Sequence, residues 1–276
     1  MLPLYNFHSH SHHCDGKESM EEYVKAAIDK KFKAFGFSAH SPLPFPNEWS
    51  LTPEGFRRYV QDALYLKEKY GSKINLYLGL EIDFIPGHSD DFDAFVRNTP
   101  LDYSIGSVHL VREKESGKIW FIDGPVEGYI KGVDDIFDGD YKAAVTAFYQ
   151  QTIQMLNTQK LDIIGHIDKV KMHNKQRWFS TAEKWYQDLI DETLQAVKEN
   201  GCIVELNTRG VYSGKTDEYF PSTDILYKCL ELDIPMMVNT DAHHPDQLTM
   251  HFDEGHALLK KAGFKKVRTP FGEIEI

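Results

Sequence analysis

Seven short runs rich in β-branched, aromatic and aliphatic residues, each followed by a polar stretch and then a helical pattern, constrain this chain more than any other feature. They occupy residues 2–7, 34–38, 74–80, 103–108, 161–165, 202–206 and 235–239. Amphipathic helix patterns lie between and after them at 19–31, 53–70, 90–98, 141–159, 181–200, 222–232 and 245–262. Strands this uniformly apolar belong to a parallel sheet covered on both faces, and each strand–helix–strand connection is then a right-handed crossover. Seven such units predict an α/β fold whose sheet closes, or nearly closes, into a barrel. An open doubly wound sheet shares the same alternation, so the choice between the two falls to the placement of the polar residues.

The 276 residues fit one barrel domain spanning 1–276. Thr52, Pro53 and Gly71 supply a cap, a first-turn proline and a stop for the helix at 53–70, and Thr181, Lys184 and Gly201 frame the one at 181–200. Residues 114–140, with five glycines and many acids, read as one long irregular insertion, and loops of that length usually carry function.

Lys and Arg number 31 against 42 Asp and Glu, and the formal charge of -11 repels a long polyanion, so nucleic acid is not an expected partner. Cys14, Cys202 and Cys229 stand without a cysteine neighbour and read as reduced packing thiols. The opening MLPLYNFHSHSHHCDG has no basic segment leading into an apolar one, and no run reaches the ~18 apolar residues of a membrane helix. A cytoplasmic protein is expected.

The residues that follow the strands carry chemistry. The first run leads into His8-Ser9-His10 and Cys14-Asp15-Gly16, the second ends at His40, the third at Glu81, the fourth at His109 and the fifth at His166. The sixth leads to Asn207 and Arg209, and the seventh to Asp241-Ala242-His243. In a parallel barrel the carboxyl ends of all strands form one rim, so these residues converge although they are far apart in sequence, which favours the barrel over the open sheet. His8 and His10, two apart on an extended segment, point to the same face and can reach one metal. Imidazole nitrogens mixed with carboxylate oxygens suit Zn, Mn or Fe, and a carboxylate can bridge two ions, for which Glu81 and Asp241 are the candidates. Two ions about 3.5 to 4 Å apart serve an in-line displacement at phosphorus, so the chain reads as a hydrolase working through two or three divalent ions.

A single histidine after a strand is more often a satisfied polar residue than a ligand; the ordered set changes the reading in a chain with only 13 histidines. His88, His173, His251 and His256 read as solvated. His12 and His13 could form a spare site beside the ligands, with Asp15 the better-placed ligand for a third metal, and His244 could contact substrate.

This ordered set resembles the polymerase and histidinol phosphatase (PHP) family, whose members carry an H-x-H, an SDG-like tripeptide, a single His, a Glu, two single His and a final D-x-H. The resemblance runs from Asn6 to about His244, and SAHSPLPFP, GLEIDFIP, IGSVHL, IGHIDKVK and ELNTRG look most like the histidinol-phosphatase branch. It implies a distorted (β/α)7 TIM-like barrel with a trinuclear site at the carboxyl ends of the strands. His8, His10, Glu81 and Asp241 would hold one metal, Glu81, His109 and His166 a second, and Asp15, His40 and His243 a third; Asp15 stands where some members carry His. The implied reaction is hydrolysis of L-histidinol phosphate to L-histidinol and phosphate in histidine biosynthesis; the expected catalytic residues are Glu81, Asp241, Arg209 and His243.

A phosphate monoester also needs positive charge beyond the metals. Arg209 offers a bidentate fork, with Lys171 and Arg177 as second choices, against the plainer reading of each as a solvated charge. Asp123, Glu127, Asp134 and Asp135 of the insertion could balance a cationic leaving group. The rival readings are a PHP phosphoesterase acting on a nucleotide, sugar phosphate or phosphotyrosine, and a PHP-like module that holds metal without catalysis.

Overall fold

The computed structural model describes residues 2–97 and 99–276. Seven parallel strands form its sheet: β1 Tyr5–Asn6, β2 Ala34–Phe37, β3 Asn75–Asp83, β4 Tyr103–Ser107, β5 Ile163–Ile164, β6 Ile203–Asn207 and β7 Met236–Asn239, each paired with the next. The two edges meet at the rim, where the His10 amide donates to the Ala242 carbonyl at 2.8 Å and the Ala242 amide to the His8 carbonyl at 3.2 Å. A nearly closed barrel results, and its seam is the His8–His10 segment itself.

The helices take the apolar periodicity read from the sequence. Helix Pro53–Tyr70 buries Tyr59, Ala63 and Leu66, spaced four and three apart, and Thr52 Oγ1 accepts from the Gly55 amide at 2.9 Å to cap it. Inside the barrel the Tyr103 ring lies directly on Gly79, where a Cβ would come within 2.3 Å of Tyr103 Cζ, so only glycine admits the ring. The Tyr103 hydroxyl reaches the Phe7 and Phe37 carbonyls at 2.6 and 2.9 Å. Phe271, on the turn between the carboxyl-terminal strands Lys266–Thr269 and Gly272–Glu275, stacks on Tyr77 with centroids 3.7 Å apart, covering the amino end of the barrel. Among the described residues no helix is long and apolar enough to cross a membrane.

Four expectations need correction. The 114–140 segment is ordered, not irregular: Leu110–Arg112 pairs with Ile119–Phe121, and a helix follows at Val126–Phe137. Buried Trp120 organises it, with Nε1 donating to the Tyr129 carbonyl at 3.1 Å and its ring filling the space beside Gly132. The helix at 181–200 starts at Lys184 after Glu183, because the Thr181 hydroxyl accepts from the Gln176 amide side chain at 3.1 Å and does not cap. The 90–98 pattern yields one turn, Asp93–Val96, and Asn98 lies outside the described residues. The 245–262 pattern splits into a 3-10 turn, Pro245–Thr249, and a helix, Phe252–Ala262, because His251 takes a left-handed conformation at φ 57° between them.

Candidate metal centre

The strand ends bring His8, His10, His40, Glu81, His109, His166 and Asp241 together in a buried cluster. Glu81 is its hub. Oε2 lies 3.2 Å from His8 Nε2, 3.4 Å from His10 Nε2 and 3.0 Å from His40 Nδ1, while Oε1 lies 3.1 Å from His166 Nε2 and 3.8 Å from His109 Nε2. Asp241 Oδ1 is 3.4 Å from His10 Nε2, 3.8 Å from His8 Nε2 and 3.4 Å from His243 Nδ1. Asp15 meets His243 Nε2 at 3.0 Å, His10 Nδ1 at 3.6 Å and His40 Nε2 at 3.9 Å, so His10 and His40 each lie between two groups of donors.

The chemistry of this donor set fits divalent cations. Buried His8 Nε2, His10 Nε2, His40 Nδ1, Glu81 Oε2, Asp241 Oδ1, Asp15 Oδ1 and Asp83 Oδ2 have no hydrogen-bond partner. Each such atom costs roughly 1–3 kcal/mol, so a cluster of them facing one another is not an arrangement that stability alone retains. Two donors on one tetrahedral ion, with bonds of about 2.0–2.1 Å, lie ~3.3 Å apart. The closest donor pairs around Glu81 Oε2, at 3.0 to 3.4 Å, match that separation.

A further layer of side chains aims these donors. His8 Nδ1 is held by Glu205 Oε1 at 2.6 Å and His109 Nδ1 by Asp83 Oδ1 at 2.8 Å, which turns each Nε2 inward. Ser107 Oγ donates to Glu81 Oε1 at 2.7 Å, and Asn207 Nδ2 donates to both Glu205 Oε2 and Asp241 Oδ2 at 3.1 Å. Sequence reasoning missed Glu205, Asp83 and Ser107. The signal was present in the strand period: Glu81 with Asp83, and Glu205 with Asn207, are two apart and share a face. Asp241 has φ 50°, a left-handed conformation that strains a residue with a side chain. Its carbonyl accepts from Tyr212 Oη at 3.0 Å and Arg209 Nη1 at 3.2 Å, which fix the turn.

Burial is the largest influence on His8, His40, Glu81, His166 and Asp241, and it opposes charge. At Glu81 it is outweighed by His8, His40 and His109, and at Asp241 by His8, His10 and His243, so both carboxyls stay well below the usual range. At His8 burial is outweighed by Glu205, Glu81 and Asp241, which raise its pKa. Burial wins at His40 and His166, each lowered to about 4, helped at His166 by the Lys169 ammonium. Those two rings are neutral near pH 7 and ready to act as donors.

Arg209 is half-buried and lines one side of the centre with Lys169, Asp123, His166, Asn207 and Asp241. Two lysines line this wall: Lys169, whose Nζ meets Asp123 Oδ2 at 2.7 Å, and Lys215, whose Nζ meets Asp123 Oδ1 at 3.3 Å. Lys171 does not take part: Glu218 and Asp168 hold its Nζ at 2.7 and 3.0 Å, because the 3-10 turn Lys169–Lys171 rotates residues two apart to different sides. Arg177 is spent on the His173 carbonyl at 2.7 Å and on the Trp178 ring. Of the acids expected over the rim, Asp123 alone lines this wall; Glu127, Asp134 and Asp135 are exposed on the helix Val126–Phe137.

The other histidines separate. His256 is a core residue and not solvated, bonded to Tyr5 Oη at 3.0 Å and to the Phe252 carbonyl at 2.8 Å. His173 and His251 are half-buried, paired with the Gly124 carbonyl and the Tyr219 hydroxyl, and His88 is exposed. His12 and His13 group with Asp62 on the surface, apart from the centre. His244 Nδ1 accepts from the Asp246 amide at 3.2 Å, capping the turn that follows. The three cysteines are free.

Residues 6–209 match the PHP domain. The chain is 27% identical over 275 residues to a probable histidinol-phosphatase of Schizosaccharomyces pombe, covering 92% of this chain and 86% of that protein. It is 27% identical over 267 residues to the histidinol-phosphatase of Lactococcus lactis subsp. lactis, covering 96% and 93%. Among solved structures, a candidate histidinol phosphatase of Listeria monocytogenes aligns with a TM-score of 0.80 at 22% identity, over 91% of this chain and 99% of that one. The histidinol phosphate phosphatase of L. lactis, crystallised with zinc, L-histidinol and phosphate, aligns at 0.72 and 21% identity over 100% of both chains. Asp241 and His243 lie beyond the matched residues, and the barrel seam returns them to the cluster that the matched ones begin. On the domain match and the seven-stranded fold, the chain belongs to the PHP domain family.

Proposed function

We propose that this chain is a metal-dependent phosphomonoesterase that hydrolyses L-histidinol phosphate to L-histidinol and phosphate, a step of histidine biosynthesis, in the cytoplasm. The observation that carries the reading is the cluster of buried, partnerless nitrogen and oxygen atoms around Glu81, with a guanidinium at its edge. The named activity of the relatives, and the zinc, L-histidinol and phosphate of the L. lactis structure, support the substrate and the metal. Two or three divalent ions, zinc first with manganese and iron also suited to the donors, would be held by His8, His10, Glu81 and Asp241, by Glu81, His109 and His166, and by Asp15, His40 and His243. When bound they supply Lewis acidity and an activated water for in-line attack at phosphorus.

The chain's own residues do the remaining work. Arg209 binds phosphate oxygens through its fork and stabilises the charge that builds on them. Lys169, kept charged by Asp123, Asp241 and Glu81 despite its burial, adds positive potential on the same side. Glu205, Asp83, Ser107 and Asn207 hold the donors in place, so little reorganisation is needed as charge moves.

A phosphate-release screen of zinc-loaded and manganese-loaded protein tests this, with L-histidinol phosphate set against a nucleotide, a sugar phosphate and phosphotyrosine. L-Histidinol phosphate should give the highest kcat/KM, by about tenfold or more, since the phosphoryl group is common to all and only leaving-group contacts discriminate. Another ester in first place would overturn the substrate, and no release from any ester would leave a metal-binding module.

A further inference from the structure

Trp49 follows His40 in the loop after β2, and Phe121 ends the hairpin after β4. Their rings are nearly parallel, 13° apart, with centroids 5.9 Å from each other. The Trp49 ring meets His40 edge-on at 4.8 Å and His109 at 6.1 Å, so Trp49 borders the candidate metal centre directly, with Phe121 stacked on it. A small core of Leu43, Ile85 and Leu110, separate from the barrel core, holds the loop and the hairpin together.

Phe121 stacks on Trp49 and lies against Gly124, and these contacts leave part of its ring open. Its neighbour Trp120 faces inward and is 1% exposed, whereas Phe121 is 38% exposed beside a strongly polar centre. The open part of the Phe121 ring, next to the Trp49 face, is apolar surface that a ligand ring can cover. Its position says which part of the ligand that is. Around the nearly closed barrel β2 lies three strands from β6, as far as seven strands allow, so with the phosphoryl group at Arg209 and the centre the leaving group has the β2 side of the rim, where Trp49 and Phe121 stack, open to it.

We infer that Trp49 and Phe121 form a stacking wall for the leaving group, selecting phosphate monoesters whose alcohol carries a planar ring. On the phosphatase reading above, on which this rests, the ring is the imidazole of L-histidinol. The wall receives it by offset stacking, and by cation–π attraction when the imidazole is protonated.

The decisive comparison is between L-histidinol phosphate and L-alaninol phosphate, which share the amino alcohol and differ by the imidazole. In the metal-loaded protein, the ratio of kcat/KM for the two should fall about threefold to tenfold in Phe121→Ala and in Trp49→Ala, as loss of an aromatic contact predicts, while Trp49→Phe keeps most of it. Trp49 also meets His40 edge-on, so Phe121→Ala, at an exposed side chain, decides between a lost contact and a disturbed centre. A ratio unchanged in Phe121→Ala, whether both rates hold or both fall together, overturns the wall. Calorimetry with L-histidinol and L-alaninol gives a reading independent of turnover: the affinity difference between them should shrink in both alanine variants, and an unchanged difference contradicts the proposal. Should the wild type hydrolyse neither ester, the phosphatase reading fails, and the calorimetric difference still decides the wall.

Discussion

Glu81 has two oxygens and faces five imidazoles, those of His8, His10, His40, His109 and His166, whereas His243 meets two carboxylates, Asp15 and Asp241. Glu81→Gln should therefore lower kcat for phosphate release more than His243→Ala at saturating metal, because on the proposed ligand sets the Glu81 carboxylate would serve two ions and the His243 imidazole one. Greater residual activity in the Glu81 variant would reverse these roles. Arg209→Ala should raise KM and lower kcat, together by roughly 2–4 kcal/mol, as removal of a comparable electrostatic donor does. Arg209→Lys should recover little, since the ammonium keeps the charge and loses the fork. Metal content decides whether Arg209 acts on substrate: it should stay at the wild-type value in both variants, although the guanidinium also braces the Asp241 carbonyl. The placing of His8, Glu81 and Asp241 at the rim was legible in the sequence because each follows an apolar strand, a signal that topology turns into proximity. Lys169 was not, because two lysines stand two apart in a short turn and only its rotation separates the one facing the centre from the one facing Glu218.

At the scale of elements, strand positions were legible because burial on both faces makes them uniformly apolar, and Pro53–Tyr70 because cap, proline and period agree. The insertion misled for a physical reason. Its glycines look like turn residues, but Gly132 is there because Trp120 lies against it, and Tyr129 and Val133 keep a helical period around it. Thr181 misled because a hydroxyl suited to capping was claimed by Gln176, a tertiary choice that local sequence does not encode. The Gly79–Tyr103 contact fixes the interior of the barrel and predicts a large effect from one methyl group. Gly79→Ala places a carbon 2.3 Å from the ring, so strand or ring must move, at about 1–3 kcal/mol. Thermal unfolding should show a lower Tm, and a variant as stable as the parent would mean the ring does not pack there.

For the whole molecule, converging so many titratable groups makes stability depend on acid. His40 and His166 have pKa values of about 4 when folded, against 6.5 for an ordinary histidine. Between those values the unfolded chain takes up protons that the folded chain refuses, so the contribution of these two rings is full above about pH 6.5 and falls toward pH 4. Glu81 and Asp241, held below their ordinary values, contribute stability above those values that is lost as pH falls further, which has the same sign. His8, raised by its carboxylates, contributes stability already complete below pH 6.5 and does not offset the loss within the window. The urea midpoint of chelator-treated protein should therefore drop steadily from pH 6.5 to 4; a flat profile would contradict the burial of neutral imidazoles. The most direct test counts metal and measures phosphate release on the same sample, before chelation, after it, and after zinc is restored. Two to three ions per chain are expected, with hydrolysis of L-histidinol phosphate lost on chelation and recovered with zinc. At most one ion per chain after reconstitution, or hydrolysis indifferent to the chelator, would contradict a catalytic metal cluster at the end of this barrel.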